Sequence, residues 1–240
     1  MSAINYGLRG RLGLIMPSGN QAAEPQFQAM LPAGVSMHAT RLKLTGSAEA
    51  ELLAFAERVE EAAELVADSQ VDLVLFHCTA VSTYSTELEA SILQRIRSAS
   101  GRPATATSEA IATALRTLGA RRIVMLSPYI DAVNQREEAY FRAAGFEIVG
   151  SAGLAKTDAN AMMAVTPEEW IAMALAHRDD RADAYLLSCT TVRSTDVADR
   201  LEGLLGRPVV TSNTAAAWHC LRTLGVKDSV PGFGRLLRDH

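Results

Sequence analysis

The sequence predicts an α/β protein of two pseudo-symmetric lobes, each a parallel sheet flanked by helices, with the active site in the cleft between lobes. Three observations carry this reading. Short runs rich in Leu, Val and Ile alternate with stretches of three-and-four spacing, the pattern of buried parallel strands joined by helices. Four landmarks recur at a near-constant interval: Cys78 and Cys189 lie 111 apart, Gly101-Arg102-Pro103 and Gly206-Arg207-Pro208 105 apart, the LRTLG strings from Leu115 and Leu221 106 apart, and the opening strands at Leu12 and Arg122 110 apart. Such a period argues for duplication of one α/β unit. Finally, VDLVLFHCT (71–79) and ADAYLLSCT (182–190) are apolar runs that both end in Cys-Thr. In open α/β sheets, ligands bind just beyond the C-terminal strand ends.

Arg11 to Met16 reads as the first strand, stopped by the turn residues Pro17-Ser18-Gly19-Asn20. Helical spacing follows from Ala22 to Leu31, with Glu24 and Pro25 in the first turn, where both are favoured. Val35 to Leu42 alternates as a second strand, and Ala48 to Ala67 reads as one long amphipathic helix. The first cysteine strand, Val71 to Phe76, leads to a helix from Thr86 to Ser98, a strand from Ala104 to Thr107, and a helix capped by Ser108 that ends at Leu118-Gly119. The second unit repeats the order: strand Arg122 to Leu126, helix Ala132 to Ala144, strand Phe146 to Val149 and helix Thr166 to His177. The second cysteine strand, Tyr185 to Leu187, precedes a helix from Asp196 to Leu205, strand Val209 to Thr211 and helix Thr214 to Leu224. Residues 1–115 are expected to form the N-terminal lobe and 116–214 the C-terminal lobe, with 215–240 packing back on the first.

A net charge of -4 lacks the basic footprint of a nucleic-acid binder. No run approaches the roughly 20 apolar residues that span a bilayer, and the start has no secretory h-region, so a cytoplasmic protein without a membrane partner is expected. Three cysteines form no CxxC pair, and the thiols and five histidines are too scattered for a structural metal centre, so no metal is expected. The glycines at 7, 10 and 13 precede the strand rather than follow it, which gives a dinucleotide site little support.

A lone buried cysteine is ordinarily a small apolar residue. Two of them followed by Thr at equivalent strand ends point instead to a shared pocket, where backbone N–H groups of the following turns can stabilise a thiolate or a substrate carboxylate. Cys220, beside Trp218 and His219 in a helix, reads as core. His77 precedes Cys78, but adjacent strand side chains point to opposite faces, which makes it a poor direct partner.

The motifs GLIMPSGN with Glu24, Ser127-Pro128-Tyr129-Ile130-Asp131 with Val133-Asn134, Leu187-Ser188-Cys189 and PGFGRLL (231–237) resemble the aspartate/glutamate racemase superfamily, within it the maleate cis-trans isomerase and arylmalonate decarboxylase branch, over nearly the whole chain. The resemblance implies two Rossmann-like lobes and no metal or organic cofactor. It implies Cys78 as the nucleophile that adds to a double bond and Cys189 as the second thiol, the proton donor. Asn20, Tyr129 and Asn160 match carboxylate-binding positions, and Thr79 and Thr190 fall beside the cysteines as anion-hole groups. The decarboxylase has Gly where this chain has Cys78, which argues against simple decarboxylation, although HCTAVSTY has the texture of the decarboxylase loop. The expected protein is a cofactor-independent, two-cysteine isomerase of a small carboxylate, most similar to maleate isomerase, and a homo-oligomer, dimer or tetramer. A two-base racemase of an amino acid or hydantoin, an arylmalonate decarboxylase-like enzyme, and a non-catalytic carboxylate-binding protein are the alternatives.

Overall fold

The computed structural model describes residues 4–240. Its first sheet contains β1 (Gly10–Pro17), β2 (Val35–Leu42), β3 (Leu73–Phe76) and β4 (Ala104–Ala106), in the order β2-β1-β3-β4. The second contains β5 (Arg122–Ser127), β6 (Glu147–Gly153), β7 (Ala184–Leu187) and β8 (Val209–Thr211), in the equivalent order β6-β5-β7-β8. Every pairing within both sheets is parallel. The chain moves outward on one side of the first strand and then crosses to the other, so the crevice lies beyond the ends of β1 and β3, and of β5 and β7.

Why the strands read as continuous apolar runs is visible in the packing. Leu12, Leu14, Met16, Leu73 and Leu75 enter a core shared with α1 (Ala23–Met30), α6 (Thr107–Thr117) and α11 (Ser212–Thr223), while Ile15, Val74 and Phe76 enter another. That second core is shared with α2 (Glu49–Ala56), α3 (Val59–Ala67) and α5 (Thr86–Ser100). In the second lobe Ile123, Met125, Ala184 and Leu186 divide from Val124, Leu126, Tyr185 and Leu187 in the same alternation. Both faces are covered, so neither offers a polar register. α11 packs against α6 and α1, and α12 (Arg235–Asp239) against α11. The expected lobe boundary at 115/116 falls in the last turn of α6.

Three segments differ from the sequence reading. The single helix expected over Ala48 to Ala67 is broken at Glu57-Arg58 into α2 and α3. The break has a partner: Arg95 on α5 donates to the carbonyls of Ala56 (3.0 Å) and Glu57 (2.9 Å), and pairs with Glu60. A distant guanidinium thus satisfies helix-end carbonyls that an unbroken helix would have used internally. Ser108 does not cap α6, which starts one residue earlier at Thr107; its hydroxyl instead donates to the carboxylate of Glu89. β6 extends through Gly150-Ser151-Ala152-Gly153, small residues of poor strand propensity, because β5 pairs along it as far as Ser127↔Gly153. Short helices α4 (Thr79–Ser82) and α8 (Ala159–Met163) and a 3-10 turn at Thr195–Val197 are additional. The expected helix from Thr166 is α9 (Pro167–Ala176), fixed by a Thr166/Glu169 capping box; that from Asp196 is α10 (Ala198–Leu205) and that from Ala132 is α7 (Asp131–Ala143).

Candidate active site

Each cysteine stands two residues beyond its strand. The ladder continues one residue past β3 and β7, with His77 N–H donating to Ile15 O (2.8 Å) and Ser188 N–H to Leu126 O (2.7 Å), and then releases Cys78 and Cys189. Both thiols line one cleft, with Tyr129, Thr190 and Thr191. Pro17, Leu44, Leu52, Ala80, Ala159 and Met162 add apolar wall. Across its roof, loops from the two lobes pair: Gly46 bridges Asp158 antiparallel, Ser47 N–H donates to Thr157 O (3.1 Å) and Ala159 N–H to Thr45 O (3.0 Å).

Cys78 caps α4 in extended geometry (φ -151°, ψ 106°), while Cys189 has φ +98°, a conformation non-glycine residues rarely adopt. That turn brings Thr191 N–H to the Cys189 sulfur (3.3 Å) and aims Cys189 N–H at Ser212 Oγ (3.0 Å). Burial pushes the Cys78 thiol up to about 12, offset in part by backbone N–H groups of Val81 and Ala80. It pushes Cys189 up to about 11, offset by the Tyr129 hydroxyl and Thr191 N–H. Each is a neutral thiol at neutral pH, and a thiolate at Cys189 would hold Cys78 protonated more firmly still.

Tyr129 is held from its backbone. Its N–H donates to Ser127 Oγ (3.0 Å), Ser127 in turn donates to Asn134 on α7, and the Tyr129 carbonyl accepts from Ala155 N–H (3.1 Å). A Cβ on Gly153 would fall 2.3 Å from the Asn134 amide nitrogen and 2.4 Å from the Tyr129 carbonyl, so this loop requires glycine at that point.

Of the sequence-predicted residues, the cleft lining unites Cys78, Cys189, Tyr129 and Thr190. Asn20 is buried behind it: its Oδ1 accepts from Ala22 and Ala23 N–H (3.0 and 2.9 Å), and its amide donates to Thr190 O and Oγ1 (3.2 and 3.0 Å), which ties the β1 loop to the Cys189 loop. Arg41, paired with Glu24, supports it by donating to Asn20 O (2.8 Å). Thr79 is also buried and donates to Ser212 Oγ (2.9 Å). Asn160 is exposed, outside the lining, and accepts from Gln21 Nε2 (2.7 Å).

His77 turns away from Cys78, edge-on to Phe27 with ring centroids 5.1 Å apart. Complete burial lowers it to about 3, so the ring is neutral and carries one N–H. The Asn213 amide donates to Gln26 Oε1 and Thr190 O, which presents Asn213 Oδ1 to His77 Nε2 at 2.9 Å. Nε2 therefore donates, and Nδ1 accepts from the Thr107 hydroxyl at 3.0 Å. Cys220 is fully buried in a core that α11 shares with α6, as expected of a structural thiol.

Sequence reasoning missed Ser212, Asn213, Thr191, Gln26 and Glu137. Only the repeated Thr-Ser after the Gly-Arg-Pro strands offered a signal, at Thr107-Ser108 and Thr211-Ser212. The others are polar residues on helices or turns with no distinctive spacing.

The arylmalonate decarboxylase family model matches residues 12–237. A maleate isomerase from Nocardia farcinica is 28% identical over 243 residues, covering 97% of this chain and 96% of that protein. An arylmalonate decarboxylase from Bordetella bronchiseptica is 32% identical over 162 residues, covering 66% of this chain and 68% of that protein. The crystal structure of a cysteine-to-serine variant of the Nocardia farcinica enzyme with a covalently bound succinylcysteine intermediate superposes with a TM-score of 0.89 at 26% identity, covering 96% of this chain and 99% of that one. With its two parallel sheets and a thiol from each at one cleft, the chain belongs to the arylmalonate decarboxylase family, in the branch that includes the maleate isomerases.

Proposed function

We propose that the protein is a cofactor-independent cis-trans isomerase of a small enedioate such as maleate, with Cys78 as nucleophile and Cys189 as proton donor. The observation that carries this reading is the pair of thiols, one from each lobe, lining a single cleft beside the Tyr129 hydroxyl. The succinylcysteine in the similar Nocardia farcinica enzyme supports it.

The steps balance as follows. Cys78, having lost its proton to solvent, adds through sulfur to one alkene carbon, and the π electrons move toward the adjacent carboxylate. Cys189 gives its proton to the other carbon, leaving a succinyl thioether on Cys78 and a thiolate at Cys189. The former double bond is now single and rotates. Cys189 then removes a proton, the alkene reforms in the trans geometry and Cys78 leaves as thiolate. Covalent addition divides one high barrier into two lower ones. Tyr129, the backbone N–H groups and Thr190 are the donors available to the growing carboxylate charge. Asn20 and Thr79 act in this scheme by holding the cysteine loops, through Thr190 and Ser212, and Asn160 would reach a carboxylate only by leaving Gln21. We assign the enzyme to the cytoplasm and expect a homo-oligomer, which sedimentation will test, since closed symmetric assemblies are common among soluble enzymes.

Incubation with maleate, followed by proton NMR, should yield fumarate and no carbon dioxide. Release of carbon dioxide from a 2-aryl malonate, with maleate untouched, would replace this reading by decarboxylation. α-Deuterium uptake into an amino acid or hydantoin would replace it by racemisation.

A further inference from the structure

Behind the Cys189 loop lies a carboxyl group that the two-thiol scheme does not use. Glu137, on α7, is fully buried. One oxygen accepts from the hydroxyl of Ser188, the residue that immediately precedes Cys189. The other, Oε2, is buried with no hydrogen-bond partner among the described residues. Burial of a carboxyl with half its acceptors unfilled costs stability, which makes its placement here in need of a reason. Among the described residues the other buried carboxylate, Glu202, faces Arg235 and accepts from Val209 N–H, a structural role complete in itself. Glu137 has no such cation: the groups coupled to it are Glu138 beside it on α7, and Cys189 and Tyr129 at the cleft. The buried polar residue of α1 in the first lobe is Gln26, a neutral amide whose partners Val192 O, Thr195 and Asn213 belong to the second lobe.

We propose that Glu137 is a positioning residue for Cys189: its buried carboxylate, anchored through Ser188, opposes the Tyr129 hydroxyl and the Thr191 N–H that favour a thiolate there, and so helps keep that cysteine the proton donor. Burial raises Glu137 to about 7, so its charge appears around neutrality. Negative charge there opposes loss of a proton from Cys189 and from Tyr129. The residue before Cys78 is His77, whose buried ring is neutral. The inference rests on the two-thiol reading for its catalytic meaning, but its test reads the acidity of Cys189 directly and is independent of turnover.

The experiment uses the full chain in a Cys78→Ser background, with iodoacetamide as probe and mass spectrometry of the Cys189 peptide as readout, from pH 6 to 10. Adding Glu137→Gln should speed alkylation of Cys189 about three- to tenfold at pH 8.5, since one pKa unit is tenfold in thiolate. Glu137→Asp, which keeps the charge, should restore most of the parent rate. Equal rates in the parent and the Gln variant, or a rise in the Asp variant as large as in the Gln variant, would overturn the proposal. Should the Gln variant fail to fold, the parent profile decides: log rate should climb with a slope below one between pH 6 and 8, where Glu137 charges, and a slope of one throughout would overturn it. An effect of Glu137 on alkylation in a protein that isomerises no enedioate would remove the function and keep the electrostatic role; isomerisation without that effect would do the reverse.

Discussion

The two lobes present the same residue at the same strand end and surround it differently. In the first, the position before the cysteine is His77, a neutral imidazole locked between Thr107 and Asn213. In the second it is Ser188, bonded to the ionisable Glu137. Cys78 enters a regular turn of helix, whereas Cys189 is forced to φ +98° and meets Tyr129 and Thr191. Duplication supplied two equivalent thiols, and the neighbours brought by tertiary packing made them unequal. Catalysis by addition and protonation needs such inequality, because one sulfur must leave its proton while the other keeps it.

The largest test of that asymmetry is replacement of each thiol in turn. Cys78→Ser should abolish maleate turnover and any covalent adduct detectable by mass spectrometry. Cys189→Ser should lower kcat about 10²–10⁴-fold, the range for a positioned proton donor, while still allowing a succinyl adduct on Cys78 to accumulate. An adduct found on Cys189 instead would invert the assignment.

A smaller effect is expected at Tyr129. Tyr129→Phe removes one donor at the cleft and should reduce kcat/KM about 10²–10³-fold, comparable to loss of an oxyanion-hole group. Circular dichroism should be unchanged, because the loop is held by its backbone and by Ser127 rather than by the hydroxyl. Wild-type kcat/KM should climb with pH above 8, since burial places both thiols far above neutrality.

The smallest effects concern stability and have opposite pH signs in the two lobes. His77 is lowered in the fold to about 3 from 6.5, so its stabilising contribution is full above the unfolded value and is lost as pH falls toward 3. Glu137 is raised to about 7 from 4.5, so its contribution is full below the unfolded value and is lost as pH rises through 7. Glu137→Gln should therefore flatten the decline of Tm between about pH 4.5 and 7, by the equivalent of at most about 3 kcal/mol. His77→Leu should cost about 1–3 kcal/mol at pH 8 in urea unfolding, because Asn213 Oδ1 loses its donor while Thr107 can still use the Phe76 carbonyl. A His77→Leu protein as stable as the parent would show that the imidazole is not needed to satisfy Asn213.

Much of this was determined by the sequence alone. Short apolar runs ending in polar turns, with an alternating one at Val35 to Leu42, placed the strands, because strands covered on both faces can be apolar throughout, and the near-constant interval between repeated landmarks announced Cys78 and Cys189 as equivalent strand ends. Their meeting in one cleft followed from the duplication. What only the tertiary structure decided is who stands beside each thiol. The break at Glu57-Arg58 depends on Arg95, 38 residues after Glu57, and the extension of β6 depends on β5 rather than on its own glycines. Asn20 acts on Thr190 from the other lobe, while Asn160, nearer in sequence, bonds Gln21 outside the cleft lining. Glu137 carries no motif, being one of two adjacent glutamates on a helix whose polar face reads as solvent-exposed. Local spacing fixes which face a residue occupies within its own element; the burial and partners that set a carboxyl's or a thiol's acidity come from elements far away in the chain, and only folding brings them together.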